Sequence, residues 1–200
     1  SKRQYFSGTY TWLACVAATL GLADFANHLL SDYLDTYVND NYLNVCFDYR
    51  KKGRGVHVGD TQEFSSGTEY VFADRIFQLE TNACAAEVIN LMLLQSFEGE
   101  ISVFPAYPWK NGCFDGLLAE GGFVISAKLE TGRLVRLTVE SLLGGLCTVY
   151  LDKDITEISV VQSNGDEVSH TELEMNDIGN RKRFSFETCP GSGYDCVVKY

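Results

Sequence analysis

The first forty residues place apolar side chains at steps of three and four positions. This spacing is typical of amphipathic helices, because about 3.6 residues complete one helical turn. Gly21 interrupts the pattern, and Asp24 stands where a new helix would be capped. We therefore predict one helix that ends near Leu20 and a second helix over Ala23–Tyr37. The apolar positions are Trp12, Val16, Leu20, Phe25, Leu29, Leu30, Tyr33, Leu34 and Tyr37.

Residues 39–81 are polar, irregular and contain several glycines. A connection of this length inside a compact domain is uncommon and is more often functional than not. Helical spacing returns with Ala85, Val88, Ile89, Met92 and Leu93, which predicts a third helix as far as residue 96.

Beyond Gly99 apolar and polar residues alternate, which predicts half-buried β-strands. Residues 130–133 (ETGR) and 163–166 (SNGD) are typical of the tight turns of antiparallel hairpins. About eight short strands would form a β-sandwich. The predicted fold class is therefore α+β, with a partial helical domain in residues 1–98 and an antiparallel β-sandwich in residues 99–200. The apolar helix faces would need further partners.

The charge of the chain excludes some partners. The formal net charge is −11, and the 16 Lys and Arg residues form no extended basic face, so we expect no nucleic-acid partner. No run reaches the roughly 18 to 20 apolar residues that cross a bilayer, so we expect no membrane partner. The N-terminus shows no signal peptide. Neutral sugars need no counter-charge and remain compatible with this composition.

The seven cysteines show no C-x-x-C spacing, and no histidine stands at a zinc-finger offset. We therefore expect no metal site. We also expect no organic cofactor, and no G-x-G-x-x-G pattern enters a predicted helix. Most of the cysteines have apolar neighbours and are interpreted as reduced, buried thiols. Reduced thiols slightly favour a soluble protein of the cytoplasm, and the compartment stays unknown. Cys189 and Cys196 flank a short turn and are the one pair worth testing for a disulfide.

Several motifs occur in an order and spacing that resemble one family. They match the junction between the helical barrel and the C-terminal β-domain of family 95 glycoside hydrolases, the inverting α-L-fucosidases. The resemblance implies that the chain holds the last helices of an (α/α)6 barrel followed by the β-domain, that an upstream barrel segment is missing, and that the partner is a glycan or oligosaccharide. The motifs are residues 77–82 (FQLETN), 93–101 (LLQSFEGEI), 103–108 (VFPAYP), 109–112 (WKNG) and 116–123 (GLLAEGGF).

The resemblance also implies a mechanism and candidate site residues. In the family an Asp of a D-G-N motif activates water, and a Glu protonates the leaving oxygen. Glu80 stands at the position of that Asp, which makes it the candidate general base, whereas the general acid would lie before Ser1. The matching Gly is Thr81, which does not easily adopt a positive φ. The alternative is a purely structural role, in which the negative charge of Glu80 near the helix N-terminus interacts favourably with the helix dipole.

Two further residues are candidate substrate-binding groups. Asn82 is either a sugar ligand or the N-cap of the third helix. His57 in the long connection is either a sugar contact or a solvated side chain. Three aromatic residues of this connection would form a stacking wall for a sugar or anchor the connection to the rest of the protein. They are Phe64, Tyr70 and Phe72.

Besides Glu80 and Thr81, three positions depart from the family pattern and indicate a divergent member. Two Arg of the family's R-A-R-G-G are Leu118 and Glu120, and a His after L-L-Q-S is Phe97. Trp109 is expected to pack the β-domain onto the helices.

Two functions stay open for this chain. It is either part of a glycoside hydrolase, inactive as the isolated chain, or a non-catalytic structural or carbohydrate-interaction module.

Overall fold

The computed structural model describes residues 6–48, 50–53, 61–63, 69–71, 77–176 and 181–200. The chain divides into two compact units, Ser1–Leu91 and Met92–Tyr200, which we call the helical unit and the β-unit. The structure is α+β, and the predicted class is confirmed at this level. Within the described residues, no helix has both the length and the apolar character needed to cross a membrane.

Among its described residues, the helical unit contains three helices and two short strands. Helix α1 (Ser7–Thr19) and helix α2 (Ala23–Tyr37) pack against each other, and helix α3 spans Leu79–Leu93. Strands β1 (Thr61–Glu63) and β2 (Glu69–Val71) pair antiparallel. The predicted break between the first two helices is confirmed, because Gly21 adopts a φ of 73° between them. Asp24 is not the cap, since Leu22 occupies that position and Asp24 lies in the first turn.

Helix α1 buries small side chains and exposes the large apolar side chains of Trp12 and Val16. Ala14, Ala17 and Ala18 are buried, whereas Trp12 is 63% exposed. Helix α2 buries Leu29, Leu30, Tyr33 and Tyr37, and the rings of the two tyrosines stack with centroids 6.3 Å apart. The large apolar residues that revealed the periodicity of α1 are therefore the ones on its exposed face.

Helix α3 begins and ends earlier than the sequence predicts. It starts at Leu79 rather than near Asn82, and residues 94–97 form strand β3 instead of a last helical turn. Strand β3 (Leu94–Phe97) pairs antiparallel with β4 (Glu100–Val103) across a turn in which Glu98 and Gly99 both have positive φ. A short apolar run fits either a helix or a strand, so the pairing partner decides.

The β-unit consists of two sheets. One sheet has six strands in the order β10-β9-β13-β7-β6-β5, and the other has five in the order β11-β12-β8-β4-β3. All neighbours are antiparallel except β4 and β8, which are parallel. The remaining strands are β5 (Gly112–Ala119), β6 (Phe123–Glu130), β7 (Arg133–Ser141), β8 (Gly145–Leu151), β9 (Glu157–Gln162), β10 (Glu167–Val168), β11 (Glu174–Asn176), β12 (Arg181–Thr188) and β13 (Ser192–Lys199).

Side chains from both sheets meet in one apolar core, as in a β-sandwich. Ile125, Leu137 and Val160 come from the six-stranded sheet, and Phe184 and Phe186 come from the five-stranded sheet. The two phenylalanine rings stand two residues apart on one face and stack with centroids 5.9 Å apart. Each such buried side chain contributes about 1.5 to 3 kcal/mol to folding.

The cysteines are all free thiols. The candidate disulfide between Cys189 and Cys196 is not formed, because Cys196 is buried in the core while Cys189 is exposed. Strands β12 and β13 belong to different sheets, so the turn between them crosses the sandwich and does not close a hairpin.

Candidate functional site

The first turn of α3 carries the predicted catalytic residue. Glu80 is exposed there, one position after the helix begins at Leu79. The next residue, Thr81, is buried and helical, and its hydroxyl donates to Gln78 Oε1 at 3.4 Å. The sequence raised the question of a positive φ at Thr81, but a helical residue needs none. The Glu-Thr-Asn segment therefore fits the helix without strain.

A hydrogen-bond network supports this helix end. Gln78 Oε1 also accepts from Ser7 Oγ at 3.0 Å, and Ser7 Oγ accepts from Asn44 Nδ2 at 3.3 Å. Ser7 and Asn44 are fully buried. Asn44 Oδ1 has no hydrogen-bond partner among the described residues. These contacts fix the start of α3 against the start of α1 and the segment that follows α2.

Asn82 lies inside α3 and is not its N-cap. Its Oδ1 accepts from the backbone N–H of Asn44 at 3.1 Å and from Tyr33 Oη at 3.5 Å. Its Nδ2 donates to the backbone carbonyl of Tyr42 at 3.2 Å. Residues two positions apart on a helix do not share a face, so Asn82 points away from Glu80. The amide ties α3 to its neighbours, and its predicted role as a sugar ligand stays a prediction.

The carboxylate of Glu80 acts electrostatically on the thiol of Cys46. Burial raises the pKa of that thiol, and the negative charge of Glu80 raises it further. Cys46 is 7% exposed, so the thiol stays protonated and adds no charge to the surroundings of the carboxylate.

The other predicted contacts of the long connection are not described. His57, Phe64 and Phe72 lie outside the described residues, and only the backbone of Tyr70 is described, in β2. The proposed sugar contact of His57 and the proposed aromatic wall stay predictions.

The positions that depart from the family pattern have structural partners in the β-unit. The carboxylate of Glu120 accepts from the backbone N–H of Gly99 at 2.9 Å, and the N–H of Glu120 donates to Ser96 Oγ at 2.8 Å. The side chains of Phe97 and Leu118 are exposed. Glu120 therefore holds the β3–β4 turn against the end of β5.

The β-unit contains a cleft of about 510 Å³ that sequence reasoning missed. We call it the β-cleft. Its aromatic lining residues are Phe104, Tyr107, Trp109 and Tyr200. Its charged lining residues are Asp152, Lys153 and Arg181. These residues come from the β4–β5 connection, the turn after β8, the start of β12 and the residue after β13, so no local motif unites them.

A row of aromatic rings leads from the core to the β-cleft. Phe104 contacts Phe114 with centroids 5.1 Å apart and Tyr107 with centroids 5.2 Å apart. Tyr107 meets Trp109 edge to face at 5.0 Å, and Tyr107 Oη donates to the carbonyl of Asn111 at 3.1 Å. Trp109 is 50% exposed at the end of this row. The row holds the tryptophan in a fixed position at the cleft.

Arg181 is the least exposed charge of the β-cleft. Its NH2 group donates to the carbonyls of Val103 and Tyr150, at 2.5 and 3.1 Å, while its Nε has no hydrogen-bond partner among the described residues. Burial lowers the pKa of the guanidinium to about 10, and the nearby Asp152 opposes this shift. The guanidinium therefore places a held positive charge at the wall of the β-cleft.

The chain is similar to known proteins of one family. The family model described as "Glycoside hydrolase family 95, C-terminal domain" matches residues 95–196, a little over half of the chain. Alpha-L-fucosidase 2 of Arabidopsis thaliana is 39% identical over 62 residues. That alignment covers 30% of this chain and 7% of the relative, so the chain matches only a small part of that protein's length.

Proposed function

Because the chain belongs to glycoside hydrolase family 95 as a C-terminal part, we propose that it completes an enzyme that hydrolyses α-L-fucosyl or related glycosidic bonds with inversion. The observation that carries this proposal is the exposed carboxyl of Glu80 in the first turn of α3, within a motif that resembles the family's catalytic segment.

In the proposed reaction Glu80 is the general base. It takes a proton from the water that attacks the anomeric carbon, while a carboxylic acid elsewhere in the parent protein protonates the leaving oxygen. An inverting enzyme keeps these carboxyl groups about 6.5 to 9.5 Å apart so that water fits between them. The network of Gln78, Ser7 and Asn44 supports the proposal, because it fixes the helix turn that carries Glu80.

We further propose that α1, α2 and α3 belong to an (α/α)6 barrel whose other helices come from an upstream segment. The large exposed side chains of α1 and α2 support this proposal. Trp12, Leu20 and Phe25 are each more than half exposed, and an upstream barrel segment would cover them.

The test replaces Glu80 in the parent protein. Glu80→Gln should lower kcat on an aryl α-L-fucoside by about 10² to 10⁴, the usual contribution of a general base. Glu80→Asp restores the family's side chain and should keep far more activity. Glu87→Gln, an exposed glutamate on the same helix, should leave kcat unchanged. NMR of the first released sugar should show the inverted anomer.

Normal turnover by the Glu80→Gln variant would remove Glu80 from the mechanism. Release of the retained anomer would rule out inversion. If the parent protein cleaves no fucoside and no related glycoside, the second candidate function applies, a non-catalytic structural or carbohydrate-interaction module. The β-cleft, which lies wholly within the β-unit, favours this alternative.

A further inference from the structure

We propose that the β-cleft binds a sugar residue that carries a carboxylate, such as a hexuronic acid. The proposal does not depend on hydrolysis, because each residue that carries it belongs to the β-unit and Glu80 has no part in it. It assigns the β-unit a binding role of its own.

The size and lining of the cleft fit one sugar residue. Small-molecule sites usually measure about 300 to 1,000 Å³, and the β-cleft at about 510 Å³ lies within this range. Such sites combine aromatic walls with a few converging polar groups. Here four aromatic residues and three charged residues line the same space.

Trp109 provides the surface on which a sugar ring can stack. The C–H groups of one pyranose face are apolar, and they pack against exposed aromatic rings. Trp109 is half exposed, and the edge-to-face contact with Tyr107 holds its ring. A ring that is already fixed loses little conformational freedom when a ligand packs against it.

The charges of the cleft select an anion. Lys153 and Arg181 carry two positive charges against one negative charge on Asp152, in a chain whose net charge is −11. Near Tyr200, Arg133 adds a further cation, with its guanidinium carbon 5.2 Å from the ring centroid, and Asp154 adds a further negative charge, so the positive charges still exceed the negative ones by one. A local excess of positive charge on an acidic protein focuses an anionic group at this place.

Arg181 supplies a positioned partner for a carboxylate. Backbone carbonyls of Val103 and Tyr150 hold one end of its guanidinium, so the group is oriented before a ligand arrives. The charged guanidinium attracts a carboxylate at the wall of the cleft, and hydrogen bonds that involve a charged group are stronger than those between neutral groups. A sugar carboxylate near Arg181 and Lys153 would also compensate for the burial of the Arg181 charge.

The binding test uses the full 200-residue chain with Trp12→Phe, so that Trp109 is the only tryptophan. Trp12 lies in the helical unit and is largely exposed, so this change spares the cleft. Fluorescence is followed during titration with methyl β-D-glucuronide and with methyl β-D-glucoside, which lacks the carboxylate. The glucuronide should give a saturable change, and the glucoside should bind at least tenfold more weakly.

Two variants and one control assign the contacts. Lys153→Gln should weaken glucuronide binding severalfold and lose part of its salt dependence. Trp109→Ala, followed by ligand-observed NMR, should abolish binding of both glycosides. Both side chains are exposed, so the fold should persist, which circular dichroism checks. Arg136→Gln removes an exposed cation outside the cleft and should leave the affinity unchanged.

Two results would overturn the proposal. Equal affinity for the two glycosides would show that the carboxylate is not recognised. The absence of saturable binding for both would show that the β-cleft is not a sugar-binding site. Either result leaves the outcome of the Glu80 experiment untouched, so the two proposals fail separately.

Discussion

Asn82 shows how one side chain can serve the structure at a position where sequence suggests chemistry. Its partners Asn44, Tyr42 and Tyr33 lie 38, 40 and 49 residues away along the chain. No local pattern could reveal these contacts, since folding alone brings the residues together. The acidic first turn of α3, by contrast, is predictable from the sequence, because Glu80 is the second residue of the helix.

The buried thiol of Cys147 gives a prediction about pH. Burial raises the pKa of this thiol from about 9 to about 12. The unfolded chain therefore releases the proton near pH 9, while the folded chain keeps it up to about pH 12. The stabilisation is complete below pH 9 and is lost as pH rises through this window, by about 1 kcal/mol per pH unit.

Urea unfolding at pH 8 and at about pH 10 checks this effect. The free energy of unfolding should fall less in Cys147→Ala than in the wild-type chain, although the variant starts lower because it leaves a small cavity. Cys113→Ala removes an exposed thiol and should retain the wild-type fall. An unchanged fall in Cys147→Ala would show that other groups carry the pH dependence.

Among the helices and strands, the tight turns could be predicted from the sequence. The end of a helix could not be predicted where it depends on strand pairing. The turns at residues 130–133 and 163–166 connect β6 to β7 and β9 to β10, as their sequences predict. Short turns of this kind are decided by local backbone preferences. The end of α3 depends instead on whether residues 94–97 find a strand partner, and β4 supplies it.

Thr131 gives a prediction about turn strain. It adopts a φ of 51° beside Gly132, a conformation that β-branched residues avoid and asparagine tolerates. Thr131→Asn should stabilise the β-unit by about 0.5 to 1 kcal/mol. The measurement is urea unfolding followed by Trp109 fluorescence in the Trp12→Phe background.

Thr131→Val is the matched control for this turn. Valine keeps the branched side chain at positive φ and loses only the hydroxyl, so it should give no stabilisation. If Thr131→Asn is no more stable than wild type, strain at this turn is too small to matter.

At the scale of the whole molecule, the β-unit contains a complete core. Its buried cluster runs from Leu94 to Cys196 and draws on both sheets. The sheet order includes the parallel contact between β4 and β8 and the crossing from β12 to β13, neither of which alternation can predict. Residues far apart in the chain decide these neighbours.

This core predicts that residues 92–200 fold alone. The fragment should show a β-type circular dichroism spectrum and one cooperative unfolding transition. A fragment of residues 98–200, which starts almost at the boundary predicted from sequence, lacks β3 and the buried Leu94 and should be less stable. Equal stability of the two fragments would show that β3 contributes nothing to the β-unit.

Residue spacing and local backbone preference were enough to predict the fold class, the helix break at Gly21, the tight turns and the family. The tertiary structure alone decided the sheet order, the strand identity of residues 94–97, the structural contacts of Asn82 and the β-cleft. The cleft gathers Trp109, Asp152, Arg181 and Tyr200 from distant segments, and only the closure of the sandwich brings such residues together.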